Sequence, residues 1–260
     1  MAVQQCLVLP IFWREDERSL DAFCAQVAEI GYAAIELMRP DDNVRAIVAT
    51  AHRHGLAVAS MVGHQSLPDG LNQPENHERI EQELRASIDL AADLGIGGLI
   101  CFSGNRNQGQ SDYEGLVACA QGLRRIIPYA EAKGVNLNME LLNSKVNHPG
   151  YQCDRVDWGV TLCEMVGSPR AKLLFDIYHM QIMEGDLIRS IRKAVPHIGH
   201  FHTAGNPGRQ DLDDAQELNY RGICAAIDAA GYGLYVGHEF TPKGDRVAAL
   251  RAAYAACGGV

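Results

Sequence analysis

Short apolar runs alternate eight times with amphipathic stretches, and this alternation constrains the fold more than any other feature of the chain. We predict strands at residues 3–9, 34–38, 57–62, 98–102, 135–140, 172–176, 197–202 and 234–239. We predict helices at residues 20–30, 44–54, 78–94, 113–133, 156–166, 187–194, 220–230 and 246–256. Six of these helices end at a glycine, the residue that most readily takes a positive φ after a helix. Eight strand–helix units in 260 residues predict an α/β protein, a closed (β/α)8 TIM barrel with a single domain over residues 1–260.

An open, doubly wound parallel sheet is the alternative arrangement for such a chain. That fold calls for a glycine-rich turn directly after its first strand. Residues 10–13 read Pro-Ile-Phe-Trp, and the glycine cluster at 95–98 follows a helix instead of a strand. The sequence also contains no P-loop motif and no G-x-S-x-G nucleophile elbow. The barrel is therefore the favoured fold.

The composition excludes several classes of protein. The formal net charge of −9 disfavours a nucleic-acid partner, because such proteins usually carry a basic face. No apolar run reaches the roughly 18 residues of a transmembrane helix, and residues 1–10 do not resemble a signal peptide. The eight cysteines include no C-x-x-C pair, and a chain of 260 residues without a recognisable secretion signal is expected to keep its thiols reduced. We therefore predict a cytoplasmic protein with no nucleic-acid or membrane partner.

Each of the last four predicted strands ends with a side chain of metal-binding chemistry. These residues are Glu140, Asp176, His202 and Glu239, and they are separated by 36, 26 and 37 residues, about one strand–helix unit each. The carboxyl ends of the strands carry the active site in barrels of this kind, so we predict that the four side chains meet. Three carboxylates would repel one another there without a cation. Oxygen ligands with one imidazole favour Mg²⁺ or Mn²⁺ and leave Co²⁺ and Zn²⁺ open.

Other polar residues at strand ends are candidates for substrate contacts. His179 and Arg209 follow strands six and seven and are predicted to lie above the metal, where a guanidinium can bind a carboxylate. Glu36 and His64 end strands two and three and are predicted to line the opposite wall of the pocket. Asn143, in the loop after strand five, either contacts substrate or shapes the loop. A structural role for Glu36 and His64 stays open as well.

Five segments of the sequence resemble the hydroxypyruvate isomerase family. They are VNLNMELLN at 135–143, FDIYHMQIMEG at 175–185, IGHFHTAGNP at 198–207, ELNY at 217–220 and GHEF at 237–240. That family belongs to the xylose isomerase-like barrels, together with ketose 3-epimerases and endonuclease IV enzymes. The resemblance implies a divalent-metal isomerase in which Glu140 and Glu239 are the catalytic acid/base pair. It also implies that Asp176 and His202 complete the metal site, and that His179 and Arg209 contact the substrate.

Two departures from the family pattern leave the substrate open. His202 stands where hydroxypyruvate isomerases carry Gln, and it is more typical of ketose epimerases; the loop at 65–74 is shorter than theirs. Conversion of hydroxypyruvate to tartronate semialdehyde through an enediolate is the first prediction. A 2-oxo-tetronate isomerase or ketose 3-epimerase with the same site is the alternative.

Two further alternatives change the class of protein. An endonuclease IV-like phosphodiesterase needs a zinc cluster with several additional histidines on strands two to four, where His64 alone is well placed. A non-catalytic barrel that binds sugar acids would bind metal or ligand without proton exchange. We predict a small-molecule substrate and leave homo-oligomerisation open.

Overall fold

The computed structural model describes residues 3–39 and 41–259. The predicted domain at 1–260 also contains residues 1, 2, 40 and 260, which lie outside the described residues. The strands are β1 Gln4–Val8, β2 Ala34–Glu36, β3 Ala57–Val58, β4 Met61–Val62, β5 Gly98–Cys101, β6 Asn136–Glu140, β7 Ala171–Asp176, β8 Ile198–Thr203 and β9 Tyr235–His238. The helices are α1 Leu9–Phe12, α2 Leu20–Ile30, α3 Val44–Arg53, α4 His77–Leu94, α5 Asp112–Lys133, α6 Val156–Val166, α7 Ile177–Met183, α8 Leu187–Ala194, α9 Tyr220–Ala229 and α10 Arg246–Ala256.

All strand pairs in this part of the chain are parallel, in the order β3-β2-β1-β9-β8-β7-β6-β5-β4. The two ends of this order, β3 and β4, are separated in sequence by Ala59 and Ser60 alone. The backbone N–H of Leu37 donates to Ser60 O at 3.0 Å, so the end of β2 hydrogen-bonds across the gap. The sheet therefore closes into the predicted TIM barrel. One expectation was wrong in detail, because residues 57–62 form two short strands at one barrel position instead of one continuous strand.

The helices pack an apolar face against the outside of the barrel. In α4 the buried positions Ile80, Leu84, Ile88 and Ala91 recur at helical spacing, and Gly95 ends the helix with φ of +72°. Complete burial of a Leu or Ile side chain contributes roughly 1.5–3 kcal/mol. Burial of one helical face thus holds each helix against the strand beside it. Helices α1 and α7 were not predicted. Among the described residues no helix is both long and apolar enough to cross a bilayer.

A shift in strand register, at the middle of β7 and the start of β8, positions the site. Leu173 is paired with Ile198, but the next residue, Leu174, is paired with His200, so Gly199 is skipped. The shift carries through to the strand ends, where Asp176 is paired with His202. Residues paired across neighbouring strands face the same side of a sheet, and a one-residue slip would reverse one of them. This irregularity therefore places Asp176 and His202 on the same side of the sheet.

Candidate metal centre

The structure brings together the four residues predicted at the ends of consecutive strands. Glu140 and Asp176 end β6 and β7, His202 is the next-to-last residue of β8, and Glu239 directly follows β9. One ligand atom from each lies within 4.8 Å of the corresponding atoms of the other three. Glu140, Asp176 and His202 are buried, whereas the side chain of Glu239 is 15% exposed. The cluster is thus a buried site that reaches solvent on the side of Glu239.

The imidazole of His202 is the centre of this cluster. Its Nδ1 lies 3.2 Å from Glu239 Oε2, 3.8 Å from Glu140 Oε1 and 4.0 Å from Asp176 Oδ2. This nitrogen is buried and has no hydrogen-bond partner among the described residues. An unpartnered imidazole nitrogen that faces three carboxylates fits the ligand set of a divalent cation. The residues present therefore fit a metal ion, and its identity is a separate question.

Glu36 lies behind His202, and this corrects the prediction that it lines the pocket wall. Its carboxylate oxygens lie 3.0 and 3.1 Å from Nε2 of His202, and Oε2 lies 2.6 Å from Nε2 of His200. Its side chain is inaccessible to solvent, because β2 directs it into the barrel interior. Burial alone raises the pKa of Glu36, but the charges of His202 and His200 outweigh it and lower this pKa to about 2. A carboxylate on the far nitrogen orients a metal-binding histidine, with Nδ1 of His202 directed at the cluster.

His179 is fixed beside Asp176 by the start of α7. Asp176 is the N-cap of this helix, and its Oδ1 accepts the backbone N–H of His179 at 2.9 Å. An N-cap aspartate and the residue three positions later are held together in this way, which explains the Asp-x-x-His spacing. Nε2 of His179 lies 3.7 Å from Asp176 Oδ2 and has no hydrogen-bond partner in the described structure. Burial lowers the pKa of His179 to about 4, so the ring is neutral at neutral pH.

Arg209 lies at the open side of the cluster, close to the position predicted from its place after strand seven. Its Nη2 donates to Glu239 Oε2 at 2.6 Å, and its guanidinium lies 5.8 Å from the centre of the Tyr178 ring. The residue has φ of +55°, an uncommon conformation for a side chain other than glycine. Its carbonyl accepts the backbone N–H of Thr241 at 2.9 Å, which holds the loop against the end of β9.

The structure does not bring His64 into the cluster. Its Nε2 accepts the backbone N–H of Phe102 at 2.9 Å, and its ring packs edge-on against the Phe102 ring. It lines a separate cleft together with Arg39, Gln65 and Glu83. The expected contact of His64 with substrate therefore remains a prediction without support from its position.

Sequence reasoning missed His148, in the loop between β6 and α6. Its ring packs edge-on against His179, with 5.3 Å between ring centres, and its Nε2 is buried without a hydrogen-bond partner in the described residues. Burial lowers the pKa of His148, and the charge of Arg209 adds to this effect. His148 does not end a strand, so the strand-end pattern that selected the other site residues did not select it. The following Pro149-Gly150 marked only a turn.

The surroundings of the two glutamates in the cluster shift their pKa values in opposite directions. Burial raises the pKa of Glu140 to about 7, with the charges of Glu239 and Asp176 adding to the effect and His202 opposing it. Burial also raises the pKa of Glu239, but Arg209 and His202 outweigh it and hold this pKa well below its usual range. Neighbouring carboxyls with separated pKa values are typical of acid/base pairs.

Comparison with known proteins shows the family to which this chain belongs. A family model described as a xylose isomerase-like TIM barrel matches residues 24–256. The chain is 29% identical over 247 residues to the 2-oxo-tetronate isomerase of Cupriavidus necator, covering 89% of this chain and 90% of that protein. It is 30% identical over 181 residues to the hydroxypyruvate isomerase of Escherichia coli K12, covering 68% of each chain.

Solved structures share the same barrel. A family 2 AP endonuclease from Brucella melitensis superimposes with a TM-score of 0.80 and 25% identity over 98% of both chains. An L-ribulose 3-epimerase superimposes with a TM-score of 0.80 and 21% identity, over 98% of this chain and 93% of that one. The names of the two curated relatives confirm the prediction of an isomerase. The match over most of its length shows that this chain belongs to the xylose isomerase-like TIM barrel family.

Proposed function

We propose that this protein is a divalent-metal-dependent isomerase of small hydroxy/oxo carbohydrate acids, with hydroxypyruvate as the first substrate to test. The observation that carries the proposal is the cluster of three carboxylates and one imidazole, with ligand atoms within 4.8 Å of one another. The relatives named hydroxypyruvate isomerase and 2-oxo-tetronate isomerase support this substrate class. The reaction would convert hydroxypyruvate to tartronate semialdehyde through an enediolate.

The chemistry requires a proton to move between two adjacent carbon atoms. A divalent cation held by Glu140, Asp176, His202 and Glu239 supplies positive charge that stabilises negative charge on the substrate oxygens. One of the two glutamates removes the proton from the hydroxyl-bearing carbon, and the other, in its protonated form, returns a proton to the carbonyl carbon. The hydroxyl proton passes to the former carbonyl oxygen, and proton exchange with solvent returns both carboxyls to their starting states. Each such proton transfer contributes roughly 10²–10⁴-fold to the rate.

Arg209 and His179 account for recognition of an acid. The guanidinium has five N–H donors, and one of its terminal nitrogens already contacts Glu239 at 2.6 Å. Its remaining donors suit a substrate carboxylate, which guanidinium groups bind through two parallel hydrogen bonds. The unpartnered Nε2 of His179 offers a further polar contact beside Asp176.

A 2-oxo-tetronate is the second candidate substrate, because the relative of that name aligns along 89% of this chain. The proton transfer would be the same with one more hydroxyl-bearing carbon. A ketose 3-epimerase would retain the metal site but would need no carboxylate contact from Arg209. An endonuclease-like reaction is disfavoured, since His64 is bound to Phe102 outside the cluster and the net charge is −9. We expect no nucleic-acid or membrane partner.

A proton-exchange experiment in D₂O tests the proposal. The Mg²⁺-loaded protein is incubated with hydroxypyruvate, a 2-oxo-tetronate or a ketose, and one-dimensional NMR follows both conversion and deuterium incorporation. Deuterium incorporation during conversion of hydroxypyruvate supports hydroxypyruvate as the substrate. Exchange with the 2-oxo-tetronate or the ketose alone supports the same active site with that compound as the substrate. If none exchanges while the cation is bound, the protein is a binding barrel and the proposal fails.

Two glutamate variants control the experiment. Glu239→Gln removes one member of the acid/base pair and is expected to slow exchange by roughly 10²–10⁴-fold. Glu164→Gln is the matched control, because its side chain lies on α6 and is 65% exposed. Normal exchange by Glu239→Gln would contradict the assignment of the acid/base pair.

A further inference from the structure

Asn143, at the start of the loop after β6, is a fully buried side chain with every hydrogen-bonding position used. Its Oδ1 accepts the backbone N–H groups of Val146 at 3.0 Å and Asn147 at 2.8 Å. Its Nδ2 contacts Oδ1 of Asn147 at 2.8 Å and Nδ1 of His179 at 2.5 Å. A side-chain amide can donate two hydrogen bonds and accept two, so Asn143 is fully satisfied in this orientation.

The two backbone groups decide which way the amide faces. A backbone N–H can only donate, so the atom of Asn143 that meets Val146 and Asn147 must be the oxygen. The nitrogen must therefore be the atom that faces His179. Amide orientation is often ambiguous because oxygen and nitrogen have similar size, but here fixed donors remove the ambiguity.

The orientation of Asn143 dictates the protonation of His179. An amide N–H needs a lone pair opposite it, so Nδ1 of His179 must be without a proton. A neutral imidazole then carries its one proton on Nε2. This nitrogen lies 3.7 Å from Asp176 Oδ2, at the edge of the metal cluster, and it is buried without a hydrogen-bond partner among the described residues.

We propose that Asn143 is a positioning residue that holds His179 in the Nε2–H tautomer and so presents this N–H to a substrate oxygen beside Asp176. The substrate half of this inference rests on the proposed function, whereas the tautomer half does not. A neutral imidazole N–H stabilises a developing oxyanion without adding another full positive charge beside the cation. Loss of one such preorganised donor costs roughly 10²–10³-fold in kcat.

The substitution Asn143→Asp tests the assignment with almost no change in shape. One carboxylate oxygen still accepts the N–H groups of Val146 and Asn147. The other oxygen now faces Nδ1 of His179, and two lone pairs opposite each other force a proton onto Nδ1. The control is Asn136→Asp at the opposite end of β6, where the side-chain oxygen already accepts from Arg170.

Long-range ¹H–¹⁵N NMR on the Mg²⁺-loaded protein reads the tautomer directly, with His179→Gln used to assign the signals. We expect an unprotonated Nδ1 and a protonated Nε2 in wild type and in Asn136→Asp, and a protonated Nδ1 in Asn143→Asp. We also expect kcat to fall roughly 10²-fold or more in Asn143→Asp, with a smaller change in KM.

Several outcomes overturn the inference. A protonated Nδ1 in the wild-type protein refutes it, and this spectrum decides the matter even if Asn143→Asp does not fold. An unprotonated Nδ1 in a folded Asn143→Asp variant refutes it as well. The spectrum is recorded without substrate, so it tests the tautomer independently of the proposed function. If the spectrum shows the expected Nε2–H tautomer but the protein turns over none of the three substrates, the proposed function fails and the tautomer assignment stands.

Discussion

Replacing Glu36 by Gln should weaken cation binding although Glu36 is not itself a predicted ligand. The substitution keeps the volume of the side chain but removes the negative charge that faces Nε2 of His202 at 3.0 and 3.1 Å. The imidazole then has a neutral amide in place of the charged partner that directs its Nδ1 toward Glu140, Asp176 and Glu239. The substitution therefore acts on cation binding indirectly, through the hydrogen bond between residue 36 and His202.

The magnitude follows from the nature of this contact. A hydrogen bond to a charged group contributes roughly 1.5–3 kcal/mol, and a neutral one about 1 kcal/mol. Gln can still offer one carbonyl oxygen to His202, so the expected loss is the difference, about 0.5–2 kcal/mol. At 1.4 kcal/mol per tenfold change, the Kd for Mn²⁺ should rise roughly 2- to 30-fold. Loss of such a supporting carboxylate typically costs about 10–100-fold in metal affinity.

Isothermal titration calorimetry with Mn²⁺ measures this effect, and circular dichroism verifies the fold of each variant. Glu164→Gln serves as the matched control, because it makes the same chemical change on an exposed position of α6. An unchanged Kd in Glu36→Gln would refute the reasoning. An equal loss in Glu164→Gln would also refute it, since the effect would then be one of net charge.

The remaining predictions concern catalysis, pH and stability. Glu239→Gln should lower kcat by roughly 10²–10⁴-fold without unfolding the protein, as steady-state kinetics and a thermal melt will measure. Chelation with EDTA should abolish turnover, and Mg²⁺ or Mn²⁺ should restore it; full activity after exhaustive chelation would contradict the metal site. Burial raises the pKa of Glu140 to about 7, so this carboxyl carries a proton below that pH. A cation must displace that proton in order to bind. The apparent affinity for Mn²⁺ should therefore rise between about pH 5.5 and pH 7.5, and calorimetry in two buffers should detect the released proton; an affinity independent of pH would argue against this linkage. Tyr151→Phe should destabilise the protein by roughly 1–3 kcal/mol in a denaturant titration, because the buried hydroxyl donates to Glu140 O at 2.9 Å and accepts the N–H of Ser103 at 3.1 Å.

The barrel and the metal cluster were predictable because both follow from local patterns. Alternation of apolar runs with amphipathic helices specifies the order of strands, and parallel strands place their carboxyl ends on one rim. Glu140, Asp176, His202 and Glu239 could therefore be selected as the polar residues that end four strands. The helix α7 was missed because its seven residues lack a clear apolar period. The N-cap Asp176 was its one local signal.

Contacts between distant parts of the chain were not predictable in this way. Glu36 and His202 are 166 positions apart, and only the closed barrel brings β2 and β8 to the same interior. His148 lies in a loop that is held by the backbone N–H groups of Val146 and Asn147, which donate to the side-chain Oδ1 of Asn143. A sequence pattern indicates which residues form an element, but not which side chains from separate elements meet.

The amino-acid sequence by itself thus specifies a barrel of eight strand–helix units and identifies the four residues of the metal cluster. It can do so because hydrophobic periodicity and the ends of strands are local properties. The three-dimensional packing determines how those ligands are oriented. The register shift at Gly199 pairs Asp176 with His202, and Glu36 directs the imidazole from behind. Register and side-chain hydrogen bonding depend on partners distant in sequence, so no local pattern carries them.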